Sequence, residues 1–301
     1  MSLRQAKPQP AALRADLPFT EEDFTRIAAM AHRSFGLSLS SSKRDLVYAR
    51  LAKRVRQLGL ASFADYCARL EGDHGAEEQE TLVTALTTKV THFFREAHHF
   101  DLIIDQILRP RLAQLRAGQR LRIWSAGCSS GMEPYSMAMA ILELLPEAPQ
   151  LNIRILATDV DPQILDRASS GLFTADEIRP IPDRMKAGGL IPAEGGRMQI
   201  HPRVAGMVRF GELNLMNAWP LRGPFDAILC RNVAIYFDKT TLARLWQRFA
   251  DLMAPGGLLC IGHSERLCGP AEALFTSVGV TSYRRLAAPD APEPQGKDTW
   301  T

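Results

Sequence analysis

The sequence predicts an α/β fold: a mostly parallel sheet with helices on both faces, preceded by a small all-helical domain. Three observations predict it. Short apolar runs at residues 121–126, 153–158, 207–212, 225–230 and 258–261 read as buried strands. Helical patterns at 133–145, around Ile164 and at 240–253 fall between those runs, as βαβ units require. Ahead of residue 80 the signals are helical only.

Taken in order, residues 1–16 are rich in Pro, Ala and Gln and are expected to be disordered. Thr20 is placed to cap a helix whose first turn carries Glu21, Glu22 and Asp23, acids that suit the positive end of the helix dipole. Ser40, Ser41 and Ser42 precede a second helix over 43–58, where Val47, Leu51, Val55 and Leu58 form one apolar stripe. Lys43, Arg50, Lys53 and Arg54 fall outside that stripe, and Gly59 fits its stop. A third helix over 62–70 leads to the Gly- and acid-rich stretch 71–80, read as a hinge. The domains expected are therefore a helical one over 17–80 and an α/β one over 81–286.

Within the α/β part, Pro255-Gly256-Gly257 closes the helix 240–253, and 278–286 adds an edge strand. The connection 171–206 is too long for an ordinary loop. A hairpin, with arms at 197–201 and from Arg203 onward, makes a small β-subdomain over about 171–209 the economical reading. Residues 287–301 read as a flexible tail.

Composition bounds the function. A chain of 301 residues with 46% hydrophobic and 23% charged residues has the profile of a soluble globular protein. The formal net charge of +3 is too mild to argue for nucleic acid, and no apolar run approaches the roughly 20 residues that span a bilayer. The N-terminus lacks a secretory signal. Five cysteines without a CxxC pair suit reduced thiols in the cytoplasm and give no zinc spacing. His98 and His99, adjacent on a helix, point in different directions, so no metal is assigned.

Ligands of open α/β sheets sit beyond the carboxyl ends of the strands. The first such end here runs Gly127-Cys128-Ser129-Ser130-Gly131, a G-x-x-x-G spacing that alone fits many turns. Asp159 ends the next strand, where an acid can accept hydrogen bonds from ribose hydroxyls; loop and acid together favour a nucleoside. The spacing lacks the third glycine of dinucleotide binders, which agrees with adenosylmethionine, a ligand with no pyrophosphate. Asn214-Leu215 follows the third strand. The fourth ends in Arg231-Asn232-Val233-Ala234-Ile235-Tyr236-Phe237, an unusual set of polar groups for a structural turn.

Five ordered blocks carry a resemblance. They are residues 86–96 (Leu-Thr-Thr-Lys-Val-Thr-His-Phe-Phe-Arg-Glu), 124–136, Ala157-Thr158-Asp159-Val160-Asp161, 223–238, and Gly262-His263-Ser264-Glu265. Together they resemble the CheR family of chemotaxis receptor methyltransferases, over nearly the whole chain from Phe19 to Leu286. The resemblance implies a Rossmann-like class I methyltransferase sheet with a small β-subdomain insertion. It also implies transfer of a methyl group from S-adenosylmethionine to receptor glutamates, giving methyl esters and S-adenosylhomocysteine. Cytoplasmic domains of chemoreceptors are the implied partners.

Carried over by position, Lys89, Thr91, Arg95, Gly127, Glu133, Asp159, Asn214, Leu215, Asn232 and Val233 are implied to meet the cofactor. Lys89 stands where the family commonly has Asn, Met132 replaces a frequent acid and Ala234 a common Met. Arg95 and Tyr236 are implied to lie near the reacting carboxylate, and Lys43, Arg50, Lys53 and Arg54 to meet the acidic receptor substrate. A glutamate with pKa about 4.3 is already ionised, so no general base is demanded. Two alternatives stay open at this point: a methyltransferase with another acceptor, and a non-catalytic receptor-binding module of the same fold.

Overall fold

The computed structural model describes residues 17–73 and 75–287. The expected N-terminal segment 1–16 and all but residue 287 of the expected tail lie outside them. The chain divides into two compact units, one ending at Leu86 and the other beginning at Thr87, with residues 31–38 belonging to the second.

The first unit is helical. It holds most of α1 (Glu21–Phe35), then α2 (Arg44–Gln57), α3 (Phe63–Glu71) and α4 (Gly75–Leu86). Thr20 caps α1 reciprocally: its Oγ1 accepts the Asp23 N–H at 3.1 Å while Asp23 Oδ2 accepts the Thr20 N–H at 2.8 Å. Val47, Leu51 and Val55 are buried as the stripe requires, whereas Leu58 is only half-buried. The stretch 71–80 is not the expected hinge. Its second half begins α4, which packs on α2 and α3 through buried Leu82, Val83 and Leu86. Gly and acidic residues suggested a linker, but the apolar spacing that makes it a helix lies just beyond them.

In the second unit α5 (His98–Ile103) and α6 (Leu112–Arg116) precede the sheet. There follow β1 (Leu121–Ala126), α7 (Met132–Leu144), β2 (Ile153–Asp159) and α8 (Pro162–Ser170). The insertion contains β3 (Leu172–Phe173), α9 (Asp183–Gly189), β4 (Leu190–Pro192), β5 (Met198–Ile200) and α10 (Pro202–Ala205). The chain returns through β6 (Val208–Glu212), β7 (Phe225–Cys230), α11 (Lys239–Leu252), β8 (Met253–Ile261), β9 (Phe275–Gly279) and β10 (Ser282–Arg285).

The main sheet has the order β6-β2-β1-β7-β8-β10-β9, parallel except for β10, which runs antiparallel to both its neighbours. Strand order reverses between β1 and β7, which makes their carboxyl ends the switch point. Alternate residues feed two cores. Ile123, Ile155, Leu229 and Cys260 face the side packed by α7, while Trp124, Ile228, Leu259 and Ile261 face the side packed by α11. Burial on both faces is why these strands read as mainly apolar runs and not as strict alternation.

Three expectations need correction. Pro255-Gly256-Gly257 lies inside β8; α11 stops earlier, at Leu252, and the strand absorbs the irregular residues in a register shift against β7. The edge strand over 278–286 is a hairpin, β9 and β10, and β10 is its inner arm. In the insertion β5 pairs with β4, ahead of the glycines, and with β3; residues from Pro202 onward form a helix because His201 caps it.

Candidate active site

Three strand ends and the segment 87–97 build the site. At the end of β1, the N–H groups of Gly127 and Cys128 both donate to the Thr158 carbonyl at 2.8 Å, fastening the loop to β2. Gly127 sits at φ +86, and a Cβ there would lie 2.3 Å from Val233 Cγ2. The glycine is thus demanded by left-handed backbone and by the neighbouring β7 loop at once. Gly131, at φ +82, then opens α7.

Asp159 takes the loop from the other side. Its Oδ2 accepts the Ser129 N–H at 2.8 Å and its Oδ1 the Asp161 N–H at 3.2 Å. Burial holds this carboxyl above its usual range, opposed by the Ser129 N–H and by the Lys89 charge. Asp161 is the cap of α8, accepting the Gln163 N–H at 2.9 Å. Lys89 pairs with Asp161, and its carbonyl accepts the Ser129 hydroxyl at 3.2 Å. Burial lowers the Lys89 ammonium from its usual range, and Asp159 opposes the shift. The lysine in place of the family's asparagine therefore stands at the acids of the β2 end.

Glu133 lies in the first turn of α7, where its Oε1 accepts the Ser125 hydroxyl at 2.6 Å and its Oε2 stands 3.3 Å from Arg231 Nη1. Burial raises this carboxyl, with Arg231 the chief opposing charge. The Arg231 side chain is 2% exposed and also donates to the Arg95 carbonyl, lies 3.7 Å from Glu96 and stands over the Phe100 ring. Arg95 Nη1 donates to the Val90 carbonyl at 3.1 Å, with Nε 3.8 Å from Glu96. The Tyr236 hydroxyl accepts the Thr88 N–H at 2.9 Å and donates to the Thr88 carbonyl at 3.3 Å.

The sequence-assigned residues are not all placed alike. Lys89, Arg95, Gly127, Glu133, Asp159, Asn232, Val233 and Tyr236 fall on the strand ends or on the segment bonded to them, and Thr91 is half-buried in that segment. The Asn214 amide is committed elsewhere, donating to Ser34 and accepting from Met216, and Leu215 packs into the α11-side core. Arg54 is an internal partner: it grips buried Glu78 with bonds of 2.9 and 2.6 Å. Arg50 donates to the Leu86 carbonyl, Lys43 is half-buried, and Lys53 is exposed. The sequence singled out Ser129 only as part of the glycine loop and Arg231 only as part of the polar end of the fourth strand, and it gave no role to Ser125 or Glu96. The one available signal was a charge directly following the apolar run of β7.

The family model described as "CheR methyltransferase, all-alpha domain" matches residues 22–87, and "CheR methyltransferase, SAM binding domain" matches 89–284. The chain belongs to the CheR methyltransferase family. It is an S-adenosylmethionine-dependent methyltransferase acting in chemotaxis adaptation. A probable chemotaxis protein methyltransferase of Rhizobium etli is 43% identical over 85% of this chain and 96% of its own. Chemotaxis protein methyltransferase 2 of Pseudomonas aeruginosa is 40% identical over 92% of this chain and 97% of its own. The Escherichia coli chemotaxis protein methyltransferase is 39% identical over 89% and 92%. Both helical and α/β parts of this CheR chain are thus accounted for by one family.

The donor set suits the cofactor. A carboxylate has about four lone-pair sites, so Asp159 can take hydroxyl donors beside the Ser129 and Asp161 N–H groups. Glu133 offers a second buried anion for a cationic ligand. No helix among the described residues is long and apolar enough to cross a membrane.

Proposed function

We propose that this CheR chain works in the cytoplasm and esterifies glutamate side chains on the cytoplasmic domains of chemoreceptors. In this reading Asp159, Glu133, Lys89, Thr91, Gly127, Asn232 and Val233 hold the cofactor, with Asn214 and Leu215 contributing backbone. The cofactor supplies an electrophilic methyl group and a neutral leaving group.

The observation that carries the reading is that the segment 87–97 holds both groups, Arg95 through the Val90 carbonyl and Tyr236 through Thr88. The Arg95 guanidinium is held by Val90 and Glu96 through Nη1 and Nε, and in this reading its remaining nitrogen meets the anionic acceptor. The Tyr236 hydroxyl gives up its longer, 3.3 Å bond to Thr88 to donate to the same carboxylate. An ionised glutamate needs no base; the residues orient it and exclude water. Lys43, Arg50 and Lys53 supply a basic surface that steers acidic receptor helices, an effect that weakens with salt. Arg54, occupied by Glu78, supports α2 instead.

The test is transfer of labelled methyl groups to receptor-containing membranes. Alkali should release the label as methanol. Tyr236→Phe should lower turnover by about 2- to 10-fold, the worth of one hydrogen bond, with S-adenosylhomocysteine affinity unchanged. Alkali-stable label, or full turnover in both Tyr236→Phe and Arg95→Ala, overturns the reading.

A further inference from the structure

We propose that Glu265 is a positioning residue for methyl transfer, its carboxylate gathering the backbone N–H groups of the loop that carries Asn232, Val233 and Tyr236. The inference rests on the site reading given above. Glu265 is 4% exposed and follows β8, on the strand neighbouring β7. Its Oε2 accepts the Gly262 N–H at 2.5 Å and its Oε1 the Ile235 N–H at 3.2 Å. The N–H groups of Asn232 and Ala234 also face this carboxylate and favour its ionised form. The carboxylate thus ties Gly262 to the loop 232–236 through Ile235, with the Asn232 and Ala234 N–H groups beside it. Such a ring of backbone N–H groups is a ready seat for an anion, and here the anion is a side chain of the protein itself.

The loop needs holding. Asn232 sits at φ +60, a left-handed conformation that a non-glycine residue adopts at a cost. It follows Arg231, whose buried guanidinium is fixed by Glu133 and the Arg95 carbonyl, so the chain must turn sharply between two anchored points. Gly262 leaves the space for this turn. A Cβ there would lie 2.8 Å from the Asn232 nitrogen, 2.7 Å from its Nδ2 and 2.9 Å from Glu265 Oε2. Glu265, Gly262 and the strained Asn232 form one device that sets where the β7 loop presents its side chains. Burial raises the Glu265 carboxyl, and the backbone N–H groups oppose that rise.

Glutamine is the discriminating substitution. Both carboxylate oxygens accept backbone N–H groups, so either amide orientation sets an NH₂ against a donor. In Glu265→Gln the dissociation constant of S-adenosylhomocysteine, measured by calorimetry, should rise at least tenfold, and kcat at saturating cofactor should fall. Glu265→Asp, which keeps the charge, should recover part of both. A purely structural role lowers the amount of folded enzyme but leaves the affinity of the remainder unchanged. If Glu265→Gln does not fold, Gly262→Ala disturbs the same contact from the other strand and should weaken cofactor binding likewise. Wild-type affinity and turnover in folded Glu265→Gln, or in Gly262→Ala, overturn the inference. Asn232→Ala separates it from the site reading: weakened binding there beside an unaffected Glu265→Gln removes only the positioning role, whereas unchanged binding in Asn232→Ala removes the site reading itself.

Discussion

Replacing Asp159 with asparagine deletes a buried charge while keeping the shape of the side chain. The amide oxygen can still take the shorter bond, from the Ser129 N–H at 2.8 Å, leaving its NH₂ at the longer, 3.2 Å contact with Asp161. The glycine loop should therefore stay in place. Burial already disfavours the ionised form of this carboxyl. Its raised pKa means that the folded, ligand-free protein holds a proton more tightly than the unfolded chain. The Asp159 charge thus costs stability at neutral pH, a cost relieved as pH falls through the folded pKa, and the neutral asparagine escapes it. The cofactor sees the opposite. A hydrogen bond to a charged acceptor contributes about 1.5–3 kcal/mol, so losing its charge should weaken S-adenosylhomocysteine binding by roughly 10- to 100-fold. Calorimetry on both proteins measures the affinity, and thermal unfolding without ligand checks that the fold is intact. An unchanged dissociation constant in a normally folded variant would refute the nucleoside role of Asp159.

Two further outcomes are expected. Glu78→Gln removes the buried charge that faces Arg54 and sets an NH₂ against Arg54 Nη2, while an amide oxygen at Oε1 can keep the 3.0 Å bond from the Tyr66 hydroxyl inside the helical unit. With Arg54 one-third exposed, the loss should be about 2–3 kcal/mol by urea unfolding, with S-adenosylhomocysteine affinity retained. His99 is held neutral, its pKa pushed down to about 3 by burial and then by the Arg231 charge. Below its ordinary pKa near 6.5 the unfolded chain gains a proton that the folded one refuses. Stability from this residue is therefore complete above that pH and lost as the solution is acidified. It should contribute a fall of about 2 kcal/mol between pH 7 and 5, which His99→Asn should flatten; identical slopes in the two proteins would exclude it.

The sheet was legible where burial left mainly apolar runs, as in β1, β2 and β7, each interrupted by one charge (Arg122, Arg154, Asp226) near its start. It was illegible where chain direction depends on partners. The turn between β9 and β10 holds Val280 and Thr281, with Thr281 at φ +47, a position that no glycine or asparagine marks. Pro255-Gly256-Gly257 carries the usual punctuation of a helix end, yet pairing with β7 draws it into a strand. The site divides similarly. Asp159 follows a strand run and so could be found, and the motif blocks carried Arg95, Glu133 and Tyr236. Composition cannot show that Arg231 and Glu265 are charges enclosed by protein, nor that Arg54 has turned inward to Glu78. Those facts depend on residues far along the chain.

The contact between Gly127 and Val233 reaches beyond the present sequence. Neither position can drift alone: a side chain at 127 collides with Val233, and a smaller residue at 233 leaves Gly127 with its left-handed backbone still to satisfy. A lineage exploring new cofactor loops would have to pass through an impaired intermediate, or change both strand ends together. The steric contact makes the two loops one unit for any substitution at either position.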